Sequence, residues 1–331
     1  MMLFIILTAV LSAFLDNVTT VLLIGPMTLT ICKLMKQNPV PFFLTQILAS
    51  NIGGTATLIG DPPNIMIGSA ANLSFADFIM IDAPCVVVIL AIVIIMFYFM
   101  YGRKMEVHED DRAKIRTMDA NKEIKSKYLM TLSIIMILLV VVFFMIHDML
   151  GLKSSIIAMS AAGVMLLLSR CSVEKALLDV EWTTLTFFAG LFVIVGALKE
   201  TGVIAMLAQA LVDATGGDVF VLMLVLLFGS AIISAFLDNI PFCATMLPII
   251  TAMQGQIDVT PLWWAVSLGA CLGGNGTLIG ASANVVLSDI AKKNGYQITF
   301  MQFTKVGFPI MIVTVVIAAA YMTLRFYTIG F

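Results

Sequence analysis

Long apolar stretches, several of them interrupted by polar residues, dominate the pattern of this sequence. Segments 80–101, 128–150 and 305–329 are long enough to cross a bilayer unbroken, and segments 154–169 and 182–198 are shorter candidate spans. The remaining apolar stretches contain Asp, Asn, Gly or Pro and cover 1–32, 42–58, 219–252, 262–272 and 284–291. Irregular backbone at membrane depth is tolerated only where it is buried in protein or lines a cavity. The pattern therefore predicts a polytopic α-helical membrane protein whose interruptions mark its working centre.

Composition agrees with a membrane protein and narrows its chemistry. The chain of 331 residues is 61% hydrophobic and 11% charged, with a mean hydropathy of +1.07. A soluble domain of this length needs far more charge to cover its surface. The net charge of −2 gives no indication of a nucleic-acid partner. The five cysteines are scattered without a C-x-x-C motif, so neither a disulfide framework nor a zinc site is expected.

Two polar motifs occur twice, in the same order. Ser-Ala-Phe-Leu-Asp-Asn occupies 12–17 and recurs letter for letter at 234–239. A Gly-rich motif follows each copy, Gly-Gly-Thr-Ala-Thr-Leu-Ile-Gly-Asp-Pro-Pro-Asn at 53–64 and Gly-Gly-Asn-Gly-Thr-Leu-Ile-Gly-Ala-Ser-Ala-Asn at 273–284. Duplicated polar breaks within hydrophobic segments are typical of secondary transporters built from two structural repeats.

The duplication predicts the architecture of each repeat. We interpret 1–32 and 219–252 as re-entrant hairpins with Asp-Asn at their tips, and 42–72 and 262–293 as broken helices joined by the Gly-rich loops. The predicted fold is an all-α polytopic membrane protein with inverted repeats, each containing a re-entrant hairpin and a broken transmembrane helix.

The distribution of positive charge divides the chain into three parts. Residues 1–101 form the core of repeat 1, 102–127 a linker, and 128–331 repeat 2 with three scaffold spans before its hairpin. The linker holds 8 of the 18 Lys and Arg residues, which places it in the cytoplasm. Counting crossings from this linker makes the two hairpins open to opposite sides, so the repeats are inverted. Because few residues precede the first motif, we expect repeat 1 to lack its N-terminal scaffold.

The hairpin tips carry the clearest candidate chemistry. An ionisable residue at membrane depth costs about 2.5–3.5 kcal/mol on insertion scales, so it is a functional candidate by default. The carboxylate and amide oxygens of Asp16, Asn17, Asp238 and Asn239 make a hard oxygen site suited to Na⁺. Helix capping by an Asp-Asn pair is the structural alternative.

The Gly-rich loops carry the second set of candidates. Paired glycines let half-helices approach a ligand, and half-helix N-termini offer N–H groups to an anion or a polyol. Asp61 has Ala281 as its repeat counterpart, and a cation-carrying role competes with capping there. A break needed only for helix packing is the alternative for both loops. The predicted lining residues are Asn51, Gly53, Gly54, Thr55, Thr57, Asp61, Asn64, Gly273, Gly274, Asn275, Thr277 and Asn284.

These motifs resemble the ion transporter superfamily. The two motifs of the first repeat are most similar to its ArsB, NhaD and melanosomal P-protein-like members, in the citrate-transporter-like branch, here without the first helices. The resemblance covers essentially the whole chain and implies that hairpin tips and broken-helix loops form the substrate and sodium sites. Related dicarboxylate carriers have Ser-Asn-Thr where this chain has Leu-Asp-Asn, which weakens a simple dicarboxylate interpretation. The residues nominated in this way are Asp16, Asn17, Thr55, Thr57, Asp61, Asn64, Asp238, Asn239, Asn275, Thr277 and Asn284.

The leading hypothesis is a transporter of a small ion or small anion, coupled to Na⁺ or H⁺ and working by alternating access. Na⁺/H⁺ exchange, a neutral arsenite-like polyol and a small di- or tricarboxylate stay open as substrates. An intramembrane aspartyl protease would need Gly-x-Gly-Asp, and Leu58 replaces the first glycine before Asp61. A transport-incompetent truncated subunit is a further alternative.

The expected surroundings follow from this hypothesis. We expect a multi-pass protein of the cell membrane, plasma or inner, with the lipid bilayer and a small ion or small molecule as its partners. A homodimer is a candidate assembly. We expect no enzyme activity, no nucleic-acid partner and no cofactor beyond Na⁺ or H⁺ as the coupling ion.

Overall fold

A computed structural model describes residues 1–105, 126–178, 180 and 182–331. Most of the predicted linker, residues 106–125, lies outside this part of the chain. The regular elements of the described residues are helices, which confirms the all-α prediction. They are α1 Met2–Phe14, α2 Asn17–Leu34, α3 Val40–Gly54, α4 Pro62–Ala71, α5 Phe75–Met100, a 3₁₀ turn Gly102–Lys104, α6 Lys127–Leu150, α7 Ser154–Ser169, α8 Val173–Leu178, α9 Trp182–Glu200, α10 Val203–Ala214, α11 Val219–Phe236, α12 Asn239–Met253, α13 Thr260–Gly273, α14 Ser282–Lys293 and α15 Phe300–Thr328.

Helices α1–α5 and α11–α15 correspond one to one, as the duplicated motifs predict. The first helix of each set ends where the chain turns extended, at Leu15 (φ −123°, ψ 147°) and at Leu237 (φ −113°, ψ 145°). The tenth residue of the last helix of each set is a proline, Pro84 in α5 and Pro309 in α15. The two sets therefore share local backbone geometry as well as sequence.

The same contact fixes the hairpin to the broken helix in both repeats. The Ser12 Oγ donates to the Ser50 carbonyl over 2.7 Å, and the Ser234 Oγ donates to the Ala270 carbonyl over 2.7 Å. These serines sit on α1 and α11, which pack along α3 and α13 respectively. Small residues let transmembrane helices approach closely, and a hydroxyl adds a hydrogen bond where water cannot compete.

The two repeats interlock through reciprocal contacts. Helix α2 of repeat 1 packs on α14 of repeat 2, and α12 of repeat 2 packs on α4 of repeat 1. Helix α3 packs on both α13 and α14. The hairpin arms and broken helices of the two repeats therefore meet at the centre of the fold, where the buried core is continuous.

The span predictions agree with the helices in most places. Six described helices are long and apolar enough to cross a membrane: α2, α5, α6, α9, α11 and α15. Helix α7 forms over the predicted short span but has only 16 residues, and α8 and α10 were not predicted. The hairpins are confirmed as helix–break–helix units. Their re-entrant course and the inverted orientation of the repeats stay predictions.

The serine contacts give a testable stability prediction. Replacing Ser12 or Ser234 with Ala should each lower the free energy of unfolding by about 0.6–1 kcal/mol, because each removes one interhelical hydrogen bond inside a dry interface. The two losses should add, since the serines lie in different repeats. Thermal denaturation in detergent would measure them, with exposed Ser69→Ala as the matched control. Wild-type stability of the double variant would contradict this account of the packing.

Candidate functional site

The aspartates of the hairpin tips are both N-caps. Asp16 accepts bonds from the backbone N–H and the hydroxyl of Thr19, at 3.0 and 3.2 Å. Asp238 accepts from the Ile240 N–H at 3.0 Å and from the Ser282 hydroxyl at 2.8 Å. The capping alternative is therefore present at both tips. Both carboxylates stay half-buried, and whether they also ligate Na⁺ stays a prediction.

The asparagines that follow the aspartates point into the interior. Asn17 and Asn239 are the first residues of α2 and α12 and are almost fully buried. The Asn17 amide donates to the Asn51 side chain at 3.3 Å, within repeat 1. The Asn239 amide donates to both carboxylate oxygens of Asp61, at 3.1 and 3.2 Å, across the repeats. Equivalent residues thus contact different partners.

Asp61 is the most buried acid of the predicted set. Its side chain is 0% exposed and makes no capping bond to α4, whose first two residues are prolines. It lies within electrostatic range of Asp16 and Asp238. A buried carboxylate is costly unless it is hydrogen bonded and paired with a cation or a proton. Capping by the Asp61 side chain is therefore not observed, and its cation- or proton-carrying role stays a prediction.

Asn51 connects the two repeats at the end of α3. Its Nδ2 donates to Asn275 Oδ1 and to Asn284 Oδ1, both at 2.9 Å, and its Oδ1 accepts from Asn17. All four side chains are at most 3% exposed. A single amide therefore binds a hairpin tip of repeat 1 to the broken-helix loop of repeat 2.

Asn64 occupies the reciprocal position at the start of α4. Its Nδ2 donates to the Thr55 and Thr57 carbonyls at 3.2 and 3.0 Å. Its Oδ1 lies 2.8 Å from the Ser267 hydroxyl and 3.4 Å from the Cys271 thiol, both on α13. Cys271 holds the position in repeat 2 that Asn51 holds in repeat 1. The cross-repeat contact therefore occurs at equivalent positions in both repeats, with a thiol donor in place of an amide.

The remaining predicted residues serve mainly to shape the loops. The Thr57 and Thr277 hydroxyls donate to the Ala13 and Ala235 carbonyls, so each holds a loop against its own hairpin. The Thr55 hydroxyl donates to the Asn51 carbonyl.

The paired glycines provide close helix contacts. A Cβ at Gly53 would lie 2.1 Å from the Ala9 carbonyl oxygen, and one at Gly273 would lie 2.6 Å from that of Ala231. A Cβ at Gly54 or Gly274 would meet the far end of its own loop, at 2.5 and 3.1 Å. Packing therefore explains these four glycines, and their contact with a ligand stays a prediction.

Asp82 was missed by the sequence analysis. It is 0% exposed in α5, and its Oδ2 lies 2.7 Å from the same Ser267 hydroxyl that contacts Asn64. The available signal was a carboxylate within a 26-residue apolar helix. The segment 80–101 was interpreted as an ordinary span because its apolar residues dominate.

A cavity of about 530 Å³ opens beside the loop of repeat 1. Leu58 and Ile59 of the loop line it, together with His147 of α6 and Lys153 of the α6–α7 connection. The asparagine network itself is closed from this cavity, because its side chains are almost fully buried. Within the residues that the structure describes, no three His, Cys, Asp or Glu side chains are grouped closely enough for a metal ion.

Two interlocked repeats around a buried polar centre, with six helices able to span a membrane among the described residues, define a polytopic membrane transport protein. The chain belongs to the citrate transporter family (CitMHS), whose profile matches residues 1–269. An uncharacterized transporter of Mycobacterium tuberculosis is 41% identical over 334 residues, covering 100% of this chain and 78% of the relative. An uncharacterized transporter of Synechocystis is 32% identical over 349 residues, covering 97% of this chain and 76% of the relative. The P protein of Sus scrofa is 30% identical over 406 residues, covering 98% of this chain and 48% of that protein. The protein is therefore a transporter, not an enzyme, and a multi-pass membrane protein.

Proposed function

We propose that this protein is a cation-coupled secondary transporter of a small inorganic ion or small anion, working by alternating access at the interface of the two repeats. Asp61 is the coupling residue in this proposal. The observation that carries it is the pair of hydrogen bonds from Asn239 to a fully buried Asp61, because they join the repeats through a carboxylate that needs a cation or a proton. Binding of a cation or a proton to Asp61 then stabilises one arrangement of the repeats over the other.

The two half-helix N-termini differ in their backbone N–H donors and in the residue that precedes them. Helix α4 begins with Pro62 and Pro63 after Asp61, which removes two N–H donors and adds a negative charge. Helix α14 begins with Ser282 and Ala283 after Ala281 and keeps its donors. The Asp238 carboxylate also accepts from the Ser282 hydroxyl at the start of α14, so an anionic substrate would bind there once a cation or a proton neutralises Asp238.

A di- or tricarboxylate is the second candidate substrate. The family profile that matches most of the chain is described as a citrate transporter, which supports this second class of substrate. The absence of arginine from the described asparagine network does not oppose it, since helix N-termini and amides bind carboxylates in transporters. The coupling ion, Na⁺ or H⁺, is left to experiment.

Uptake into proteoliposomes tests the proposal. Purified full-length protein would be offered citrate, a dicarboxylate, arsenite and Na⁺ under imposed Na⁺ and pH gradients. We expect accumulation of one of these solutes only when a cation gradient is present. Folded protein that moves none of them under either gradient would favour the transport-incompetent subunit instead.

A further inference from the structure

Asp82 forms a second carboxylate centre, on α5, away from the hairpin tips. Helices α5 and α15 can be aligned on their prolines, Pro84 and Pro309. In this alignment Gly307 of α15 is the counterpart of Asp82. Repeat 2 therefore has no carboxylate at this position. The Asp82 side chain is 0% exposed, and its Oδ1 has no hydrogen-bond partner in the described structure. No part of the proposed cation site accounts for this acid.

The amide orientation of Asn64 is set by its neighbours. Its Nδ2 donates to the carbonyls of Thr55 and Thr57, and flipping the amide would place Oδ1 against two acceptors. Asn64 Oδ1 therefore accepts hydrogen bonds. The Ser267 hydroxyl lies 2.8 Å from this oxygen and 2.7 Å from Asp82 Oδ2.

The Ser267 hydroxyl has one hydrogen for two acceptors. If Asp82 is ionised, Ser267 can donate to the carboxylate or to Asn64, and one contact is left without a proton. If Asp82 carries a proton on Oδ2, it donates to Ser267, and Ser267 donates to Asn64. Both short contacts are then true hydrogen bonds, so the geometry fits a protonated Asp82.

The charged surroundings of Asp82 come from three helices. On α15, the Arg325 guanidinium donates to the Met80 carbonyl and to the Tyr321 hydroxyl, and it attracts Asp82 only at a distance. Cys85 on α5 and Cys271 on α13 are the ionisable thiols that interact with it. Helices α1 and α3, which also pack on α5, carry no ionisable side chain. On α6, the described ionisable side chains are Lys127, Tyr128 and His147, all in its end turns.

We propose that Asp82 is a proton-binding site of this transporter. Gain or loss of its proton changes the hydrogen bonds of the repeat 1 loop through Ser267 and Asn64. Gain of a proton on Asp82 Oδ2 turns the Ser267 hydroxyl toward Asn64 Oδ1. Loss of that proton releases Asn64 from Ser267, and Asn64 is the residue that holds the Thr55 and Thr57 carbonyls. The role of this proton in transport rests on the proposed function, whereas the binding of the proton to Asp82 does not.

Infrared difference spectroscopy on a pH change detects the proton without any transport. Wild-type protein should show a carboxylic C=O band that is missing in Asp82→Asn, and Ser267→Ala should shift this band because the acid loses its hydrogen-bond acceptor. Exposed Asp289→Asn is the matched control and should leave the band in place. If every carboxylic band of the wild type survives in Asp82→Asn, the proposal is overturned. This measurement stands even if no substrate is transported, so its failure is distinct from failure of the proposed function.

The pH profile of uptake tests the connection to the loop. Wild-type uptake should change by about tenfold per pH unit on the limb that one proton controls, and Asp82→Asn should flatten that limb. Asn at position 82 keeps a donor for Ser267, so folding should be retained. An unchanged pH profile in folded Asp82→Asn would overturn the proposed connection.

Discussion

Replacing Asp61 with Asn should reduce cation-driven uptake by about 100-fold or more, equivalent to about 2.7 kcal/mol of lost coupling. The variant keeps the size of the side chain and a carbonyl oxygen that can accept from Asn239. It removes the negative charge that binds a cation and the oxygen that binds a proton. The protein should therefore fold and insert normally while losing its response to the gradient, measured as initial uptake in proteoliposomes.

Asp289→Asn provides the control for this result. Asp289 lies exposed on α14, so the substitution removes the same charge without touching the buried network. Uptake by this variant should equal that of the wild type. If Asp61→Asn also transported at the wild-type rate with the same gradient dependence, Asp61 would have no part in coupling.

Gly53→Ala should strongly destabilise the fold. The new Cβ would lie 2.1 Å from the Ala9 carbonyl oxygen and 2.5 Å from the Ala9 Cα. These are backbone atoms of α1, so relief requires the two helices to separate and break the neighbouring contact of Ser12. Overpacking of this kind costs about 3 kcal/mol, a large share of the roughly 5–15 kcal/mol by which native proteins are stable. Size-exclusion chromatography and thermal denaturation in detergent would measure the loss.

Gly229→Ala is the matched glycine control. Gly229 lies inside α11, and a Cβ there would meet no atom within 4 Å. Alanine favours helix over glycine by about 0.8–1 kcal/mol, so this variant should be as stable as the wild type or slightly more stable. Equal behaviour of Gly53→Ala and Gly229→Ala would show that α1 and α3 are not packed as described.

The repeat architecture could be predicted because the motifs that define it occur twice in the sequence. Two identical hexapeptides and two similar Gly-rich motifs define equivalent breaks, and long apolar runs define spans such as α5 and α15. Helix α10 was not predicted, because its apolar run over 203–214 is only 12 residues long and contains Gln209 and Asp213. Most of the helices that position the site therefore follow from local pattern.

The partners within the site could not be predicted in the same way. Asn51 contacts Asn275 and Asn284, which are 224 and 233 residues away, and no local pattern carries that information. The equivalence of Asn17 and Asn239 suggested equal roles, yet one binds Asn51 and the other Asp61. Tertiary packing of two repeats, rather than the motif itself, decides which polar groups meet.

Three polar residues at the centre of repeat 1 have different residue types at the equivalent positions of repeat 2. Asp61, Asn51 and Asp82 of repeat 1 correspond to Ala281, Cys271 and Gly307 of repeat 2, as the aligned motifs and prolines show. In the described part of the chain, the two fully buried acids therefore both lie in repeat 1. Cation or proton binding would act mainly on its broken-helix loop, while repeat 2 supplies the amide and hydroxyl partners.

Coupling between substrate and cation is the claim on which the account depends. The most direct test is to load proteoliposomes with an outward or inward gradient of the transported solute alone and to record movement of Na⁺ and H⁺. The account predicts that the solute gradient drives one of these cations across the membrane with wild-type protein and not with Asp61→Asn. Solute movement by the wild type without any accompanying cation would contradict it.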